Sequence, residues 1–401
     1  MGSVTIEQLR GETYTGSDPV VKGMYAWNAQ HLDEVLAGVR GGSVVPLLGA
    51  GFSAGSIPLW RGALLGWAGE LGPAVEAEVT GRLDAGDFEG AASLVESEMG
   101  ANAFRDAFGR TFGEGVLDGA FQRLTPERRG IPAAFRGFVL TTNYDRLIER
   151  AYEAAGAPIE RVCPHTAYQF AKAAGGLGGN ERLLLKLHGD AWDPTNAVIT
   201  REDYDRVYET DGEAAPLVKV MRRAFTGRRV LFLGCSLAGD RPLDVLHGCC
   251  EGMTHYALVE LPAGTENPDD PLAPALVGPD GRQAPAYREA RLRLDALGIR
   301  PIWYPRGCHE ALDALLGWLE GEMGPLPGGA AARLAPIPES TYGIVGREDK
   351  VIEVVGSLSG GPSITMVTGP GGIGKTEVCR EALRRLRDKG RNVVYVETAG
   401  K

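Results

Sequence analysis

The sequence contains no C-x-x-C pair. Its six cysteines are Cys163, Cys235, Cys249, Cys250, Cys308 and Cys379, and structural zinc sites usually draw on paired cysteines. No zinc site is expected, and the thiols read as small core or incidental side chains. No run reaches the roughly 18 consecutive apolar residues of a membrane-spanning helix. The opening residues, MGSVTIEQLR, lack the apolar stretch of a signal peptide. A myristoylation pattern on Gly2 needs Ser or Thr at position 6, and Ile6 stands there. Positive charge is scarce too: 42 Lys and Arg face 52 Asp and Glu, a formal net charge of −10. That balance argues against broad electrostatic binding to nucleic acid or an anionic membrane. The expectation is a cytoplasmic chain with no nucleic-acid and no membrane partner.

What is present is a soluble-protein composition of 44% apolar and 23% charged residues over 401 positions. That length suits one large domain and part of another. Residues Val44 to Arg61, VVPLLGAGFSAGSIPLWR, organise the rest. An apolar run ends in Gly49-Ala50-Gly51, and a helix is predicted from Trp60. A strand that breaks into glycines and re-enters a helix is how a parallel sheet offers backbone N–H groups to a phosphate. Before it, Leu32, Val35, Leu36 and Val39 have helical spacing within Asn28 to Val39. After it, residues 61–130 read as an Ala-rich helical insertion. Apolar runs return at Gly137–Thr141, Leu183–Leu187, Arg229–Leu233, Tyr256–Leu261 and Gly298–Tyr304, with helices between them and a last one near Glu310 to Leu319. Alternating strands and helices predict an α/β fold with a doubly wound, Rossmann-like parallel sheet.

Polar residues follow several of these runs. Thr142-Asn143-Tyr144-Asp145 follows the second, His188-Gly189-Asp190 the third, and Gly234-Cys235-Ser236 the fourth. Taken singly, each has an ordinary explanation. Asn143 and Asp145 suit a helix N-cap, His188 a satisfied strand-end histidine, and Ser236 a strand-to-helix turn. The glycine loop fits G-x-G-x-x-[GA], a weak dinucleotide signal. A dehydrogenase would place an acidic residue about 20 positions on, after a second strand; Glu70 lies there but in a helical pattern. Together and in order, the polar residues fall on successive strand ends, where open α/β sheets bind ligands.

This series resembles the motifs of sirtuin-like NAD-binding domains, over roughly residues 30 to 320. The resemblance rests on Gly49-Ala50-Gly51-Phe52-Ser53, Ile57-Pro58-Leu59-Trp60-Arg61, Thr142-Asn143-Tyr144-Asp145, Lys186-Leu187-His188-Gly189 and Gly234-Cys235-Ser236. It implies that Gly49, Ala50, Gly51, Phe52 and Ser53 embrace the NAD pyrophosphate. Pro58, Trp60 and Arg61 would lie over the nicotinamide end. Asn143 and His188 would flank the scissile nicotinamide–ribose bond as the catalytic pair. Thr142 and Asp145 would contact the ribose or fix the site, and Gly234 and Ser236 would line the adenosine side. Two departures stand out. The loop from Gly51 to Ile57 looks one residue shorter than usual, and the paired-cysteine zinc module of protein deacylases is missing. The resemblance therefore points to the bacterial branch that hydrolyses NAD⁺ to nicotinamide and ADP-ribose. His188, expected near a neutral pKa, would take a proton from water directly or through a ribose hydroxyl. An NAD-dependent protein deacylase and a non-catalytic module that senses NAD or ADP-ribose stay open as alternatives.

Residues 1–40 form a helical lead-in, 41–320 the sirtuin-like domain, and 321–341 a Pro-, Gly- and Ala-rich linker. Residues 342–401 contain Gly369-Pro370-Gly371-Gly372-Ile373-Gly374-Lys375-Thr376, which fits G-x-x-x-x-G-K-[ST]. Strands are predicted at Ile364–Thr368 and Asn392–Glu397, giving the first β-α-β of a P-loop NTPase. Gly371, Gly372 and Gly374 would wrap an ATP phosphate, Lys375 would neutralise the β- and γ-phosphates, and Thr376 would hold Mg²⁺. With Val345-Gly346-Arg347-Glu348 ahead of it, this part resembles STAND, or NLR-like, signal-transduction NTPases, with Arg347 in the nucleotide site. That resemblance implies a truncated NTPase whose missing C-terminal sensor meets a phage trigger. It also implies self-association, as a tetramer or filament, that switches on NAD depletion in antiviral defence.

Overall fold

The computed structural model describes residues 4–164, 166–176, 182–209, 215–237, 241–249, 252–268, 270, 272–278, 281–326, 346–359, 365–368 and 374–388. Two units separate between Leu326 and Pro327. In the first, seven strands form one sheet: β1 Val44–Leu48, β2 Val139–Thr141, β3 Glu160–Val162, β4 Leu183–Lys186, β5 Arg229–Leu233, β6 His255–Glu260 and β7 Ile299–Tyr304. Their order is β3-β4-β2-β1-β5-β6-β7, and every pairing is parallel. The chain runs from β1 to β2, out to the edge at β3 and back to β4 between β2 and β3, then crosses to β5 and winds outward on the other side. The switch point is therefore the carboxyl edge between β1 and β5, the place where such sheets open a crevice.

β1 is central and buried at all five positions. Val45 and Leu47 pack into the apolar layer on one face, Val44 and Leu48 into the layer on the other, as the period of two requires. Pro46 inside a central strand is unusual, because proline has no N–H for the ladder. The register explains it. Gly49 N–H donates toward β5, to Leu233 O at 2.9 Å, so the alternate position, Pro46, faces β2. The β1–β2 ladder begins only with Leu47↔Leu140, so no donor is missed. β3 was not legible as a strand: Glu160 and Arg161 are exposed and only Val162 is buried, as suits an edge. The first long helix starts earlier than the spacing predicts, at Pro19, and runs to Arg40, with Asp18 Oδ1 capping Val20 N–H at 2.7 Å.

Helices Trp60–Leu71, Phe88–Met99 and Ala101–Phe112 build a separate core around Trp67, Phe104 and Phe108. Ala191, Ala197 and Ile199, from the stretch after β4, pack into it, which places this helical module beside the carboxyl edge. A second tie is Arg128. Its guanidinium bonds Asp313 through Nε at 2.8 Å and Nη2 at 3.1 Å, while Nη1 donates to Phe52 O at 3.2 Å and Ala54 O at 2.9 Å. Asp313 sits on helix Ala311–Met323, so one buried cation joins that helix to the loop after β1.

In the second unit, helices Glu348–Ser359 and Lys375–Asp388 pack through Val351, Val355, Val378, Ala382 and Leu386. Residues 365–368 form no strand, so the strand expected before the glycine loop is not found among the described residues. Gly371, Gly372 and the stretch Asn392–Glu397 lie outside them. Gly374 has φ +90°, and Lys375 and Thr376 open the second helix.

Removing the carboxylate that matches a buried guanidinium strands a charge, which typically costs about 3–5 kcal/mol. Asp313→Ala is expected to destabilise the first unit by that order, read from urea unfolding. A loss under about 1 kcal/mol, the worth of a surface pair, would show that Arg128 does not hold the loop as described.

Candidate active site

Three glycines shape the switch point. Gly51 N–H donates to Gly234 O at 2.9 Å. A Cβ on Gly51 would lie 2.7 Å from Gly234 Cα, and one on Gly234 would lie 2.7 Å from Phe52 N. Gly234 also holds φ +66°, which L-residues with side chains rarely adopt. Gly49 is crowded in the same way by Gly234 O, at 2.6 Å from an added Cβ. The ends of β1 and β5 thus meet backbone to backbone. The N–H groups of Gly49, Gly51, Phe52 and Ser53 are spent within the fold, on Leu233, Gly234, Gly49 and Ala50 carbonyls. What the loop turns toward the adjacent cleft is Ala50 and Ser53.

That cleft encloses about 170 Å³ and is lined by the ends of β1, β2 and β4 and by the helical module. Its polar side is a relay of side chains. Ser53 Oγ donates to Asp145 Oδ2 at 2.9 Å, and Asn143 Nδ2 donates to Ser53 Oγ at 3.1 Å. Asp145 Oδ1 accepts from Leu147 N–H at 2.9 Å, at the start of helix Leu147–Ala154. Asp145, one residue before the N-cap Arg146, therefore both holds the first N–H of that helix and anchors the relay. Because the Ser53 hydroxyl proton goes to Asp145, Ser53 must accept from Asn143, which fixes the amide orientation. Asn143 Oδ1 is left pointing away from Ser53 as an acceptor.

His188 follows β4 and is only 5% exposed. Its Nε2 lies 2.9 Å from Tyr208 Oη and its Nδ1 3.3 Å from Tyr204 Oη. Burial pushes its pKa down to about 3, so the near-neutral value expected from sequence is corrected: this imidazole stays neutral throughout the physiological range. Beneath it, Lys186 is fully buried and donates to the carbonyls of Tyr144, at 3.2 Å, and Asp145. It also pairs with Glu149 at 3.4 Å and Asp190 at 3.6 Å. Burial alone would raise the Asp190 carboxyl, but Lys186, the Trp192 N–H and Arg146 outweigh it and hold it below the usual range. Lys186 thus braces the β2 loop carrying Asn143 against the strand carrying His188.

The apolar wall is Ile57, Pro58, Trp60, Phe112 and Tyr144. Trp60 contacts Tyr144 at 5.7 Å and Phe112 at 6.0 Å between ring centroids, and Tyr144 Oη donates to Val198 O at 2.6 Å.

Of the residues singled out from sequence, Ala50, Ser53, Pro58, Trp60, Thr142, Asn143, Asp145 and His188 line this one cleft. Gly49, Gly51 and Gly234 shape its floor through their backbones. Phe52 is fully buried in the core. Arg61 pairs with Asp84 at 2.5 Å on the module's surface, because adjacent helical residues face directions about 100° apart. Ser236 is not among the lining residues. Phe112 and Tyr204 do line it and belong to no motif. The one available signal for Tyr204 was its i,i+4 spacing with Tyr208 on a short polar helix. Among the described residues no group of three His, Cys, Asp or Glu side chains could hold a metal ion.

Two of the buried histidines, His188 and His255, have pKa values lowered by burial, to about 3 and about 4. His255 Nδ1 accepts from Val230 N–H at 3.1 Å, and its Nε2 is buried without a partner, so it too is neutral. Unfolded, both titrate near 6.5. The unfolded chain then binds more protons between that value and the folded ones, so stability is complete above pH 6.5 and lost as pH falls toward 4. Glu149, raised by burial, works in the opposite direction. The urea midpoint is expected to be lower at pH 5.0 than at pH 7.5, with a smaller drop in His255→Gln. Equal drops in both proteins would count against this assignment.

Residues 137–274 match the SIR2-like domain family, a span that contains β2 to β6 and both Asn143 and His188. The NAD(+) hydrolase ThsA of Bacillus cereus (strain MSX-D12) is 31% identical over 106 residues. The NAD(+) hydrolase ThsA of Acinetobacter baumannii (strain 532279) is 32% identical over 106 residues. Each match covers 26% of this chain and 20% of the relative, so the chain spans about a fifth of the curated relatives it matches. The seven-stranded parallel sheet and the SIR2-like match over residues 137–274 agree on a Rossmann-like α/β fold for the first unit.

Proposed function

We propose that the first unit is an NAD⁺ glycohydrolase that cleaves NAD⁺ to nicotinamide and ADP-ribose. The observation that carries the reading is the convergence of Asn143 and His188 from neighbouring strand ends, where Thr141 pairs with Lys186, onto one cleft. That cleft has an aromatic wall on one side and the glycine contact of β1 and β5 beside it. The two ThsA relatives being NAD(+) hydrolases supports it.

The chemistry suits these groups. Nicotinamide in NAD⁺ is already cationic and needs no general acid to leave. The transition state is oxocarbenium-like, as in glycoside cleavage. An imidazolium in the resting site would repel the cationic nicotinamide of NAD⁺, and the burial that lowers the His188 pKa keeps the ring neutral until a proton is handed to it. Asn143, fixed by Ser53 and Asp145, offers Oδ1 to a ribose hydroxyl or the attacking water. Trp60, Phe112 and Tyr144 give the nicotinamide ring an apolar surface.

The second unit, in the same proposal, binds ATP with Mg²⁺ through Lys375, Thr376 and the glycines before them, with Arg347 nearby in sequence. It acts as a STAND-type switch whose oligomerisation turns on NAD⁺ consumption in bacterial antiphage defence, in the cytoplasm. Its support is the pattern G-x-x-x-x-G-K-[ST].

The test is to incubate the full chain with NAD⁺, with and without an acetyl-lysine peptide. Nicotinamide and ADP-ribose are expected without peptide; product that appears only with peptide would make the protein a deacylase. Asn143→Ala and His188→Ala are each expected to lower turnover about 10²–10⁴-fold, the usual weight of a positioned acid–base group. Full activity in both would remove the site. Self-association is read by sedimentation: a chain that hydrolyses NAD⁺ while monomeric at every concentration contradicts the switch.

A further inference from the structure

His188 is bracketed by two hydroxyls from one helix. Tyr204 and Tyr208 are four residues apart on Arg201–Tyr208, so they share a face. Their rings stack with centroids 5.9 Å apart and planes 19° from parallel. The helix is tied down on both sides of Tyr204. Asp203 accepts from Arg105 at 2.9 Å, and Asp205 from Arg241 at 2.6 Å. Arg241 also grips Glu89 on helix Phe88–Met99 at 2.9 Å. The hydroxyl pair is therefore held by the fold.

A neutral imidazole has one N–H and one lone pair, so the two contacts of His188 are not equivalent. Tyr204 lines the cleft with His188, and Tyr208 does not. The longer contact, 3.3 Å at Nδ1, is on the cleft side; the shorter, 2.9 Å at Nε2, is behind. Tyr204 also bonds Tyr144, whose own proton goes to Val198 O. The Tyr204 proton thus has two acceptors within reach, Nδ1 and the Tyr144 oxygen.

We infer that Tyr204 is a further catalytic residue, the hydroxyl that passes a proton from the attacking water to His188 Nδ1, and that Tyr208 is a positioning residue that accepts Nε2–H and fixes the tautomer. The inference rests on the NAD⁺ hydrolysis reading of the same cleft. In the step, the attacking water gives a proton to Tyr204 Oη as the Tyr204 proton passes to Nδ1. The water oxygen bonds to the anomeric carbon of the ribose. The carbon–nitrogen bond breaks, and its electron pair leaves with nicotinamide, which becomes neutral. His188 is left as an imidazolium whose Nε2–H still points to Tyr208, and it returns the proton to solvent after product leaves.

The test uses the full chain labelled with ¹⁵N-histidine, with His188→Gln to assign the His188 signals. Wild type is expected to show Nε2 protonated and Nδ1 with its lone pair, and Tyr208→Phe to mix the two tautomers. Tyr204→Phe is expected to lower kcat on NAD⁺ by about 10²-fold, the lower end for a general acid–base group, with KM unchanged. In a His188→Ala background the same change should cost less than about twofold, because both act in one step. Unchanged His31 and His255 signals show that the variants fold. The inference is overturned by an Nδ1–H tautomer in wild type, by Tyr204→Phe with full kcat, or by equal losses in both backgrounds. If wild type releases no nicotinamide, the hydrolase reading fails on its own, and the tautomer decides the pair: Nε2–H supports it and Nδ1–H overturns it.

Discussion

The meeting of Gly51 with Gly234 is the constraint on which the rest depends. It brings the ends of two central strands to hydrogen-bonding distance with no side chain between them. Ser53 is placed by the turn that follows, and Ser53 in turn orients Asn143. A methyl group at either glycine would have to move backbone, not a flexible side chain. The close approach also explains why this loop has few N–H groups left for a ligand. It shapes the floor of the cleft and leaves the polar work to side chains from other strands.

Those side chains are organised by contrast. Lys186 is charged, buried and surrounded by carboxylates and carbonyls, which offset the cost of taking a cation out of water. His188, two residues on, faces hydroxyls and stays neutral. Lys186 is the last residue of β4, and His188 lies in the turn that follows it. One holds the frame of the site by charge, while the other rests there uncharged.

Much of this was legible in the sequence. The buried strands of a parallel sheet are short apolar runs, and six of the seven, all but β3, fall on the runs read from the sequence. β3 did not, because an edge strand with two exposed charged residues has no apolar signature. Asn143, Asp145 and His188 could be found because each directly follows a strand. Tyr204 could not, since the fold folds its helix back over the cleft from a stretch with no motif. The misplacement of Arg61 follows from reading a loop motif through the first turn of a helix. The depressed pKa of His188 depends on what covers it, and sequence does not show cover.

Every neighbour in this sheet is parallel, so none is joined to the next by a tight hairpin. β1 must wait for β5, pairing from Val44↔Arg229 to Leu48↔Leu233, across the whole helical module and three intervening strands. Contacts of such sequence separation form late and slowly. During synthesis the first glycines emerge long before the glycine that shapes them. A nascent chain therefore has no finished cleft until β5 has left the ribosome.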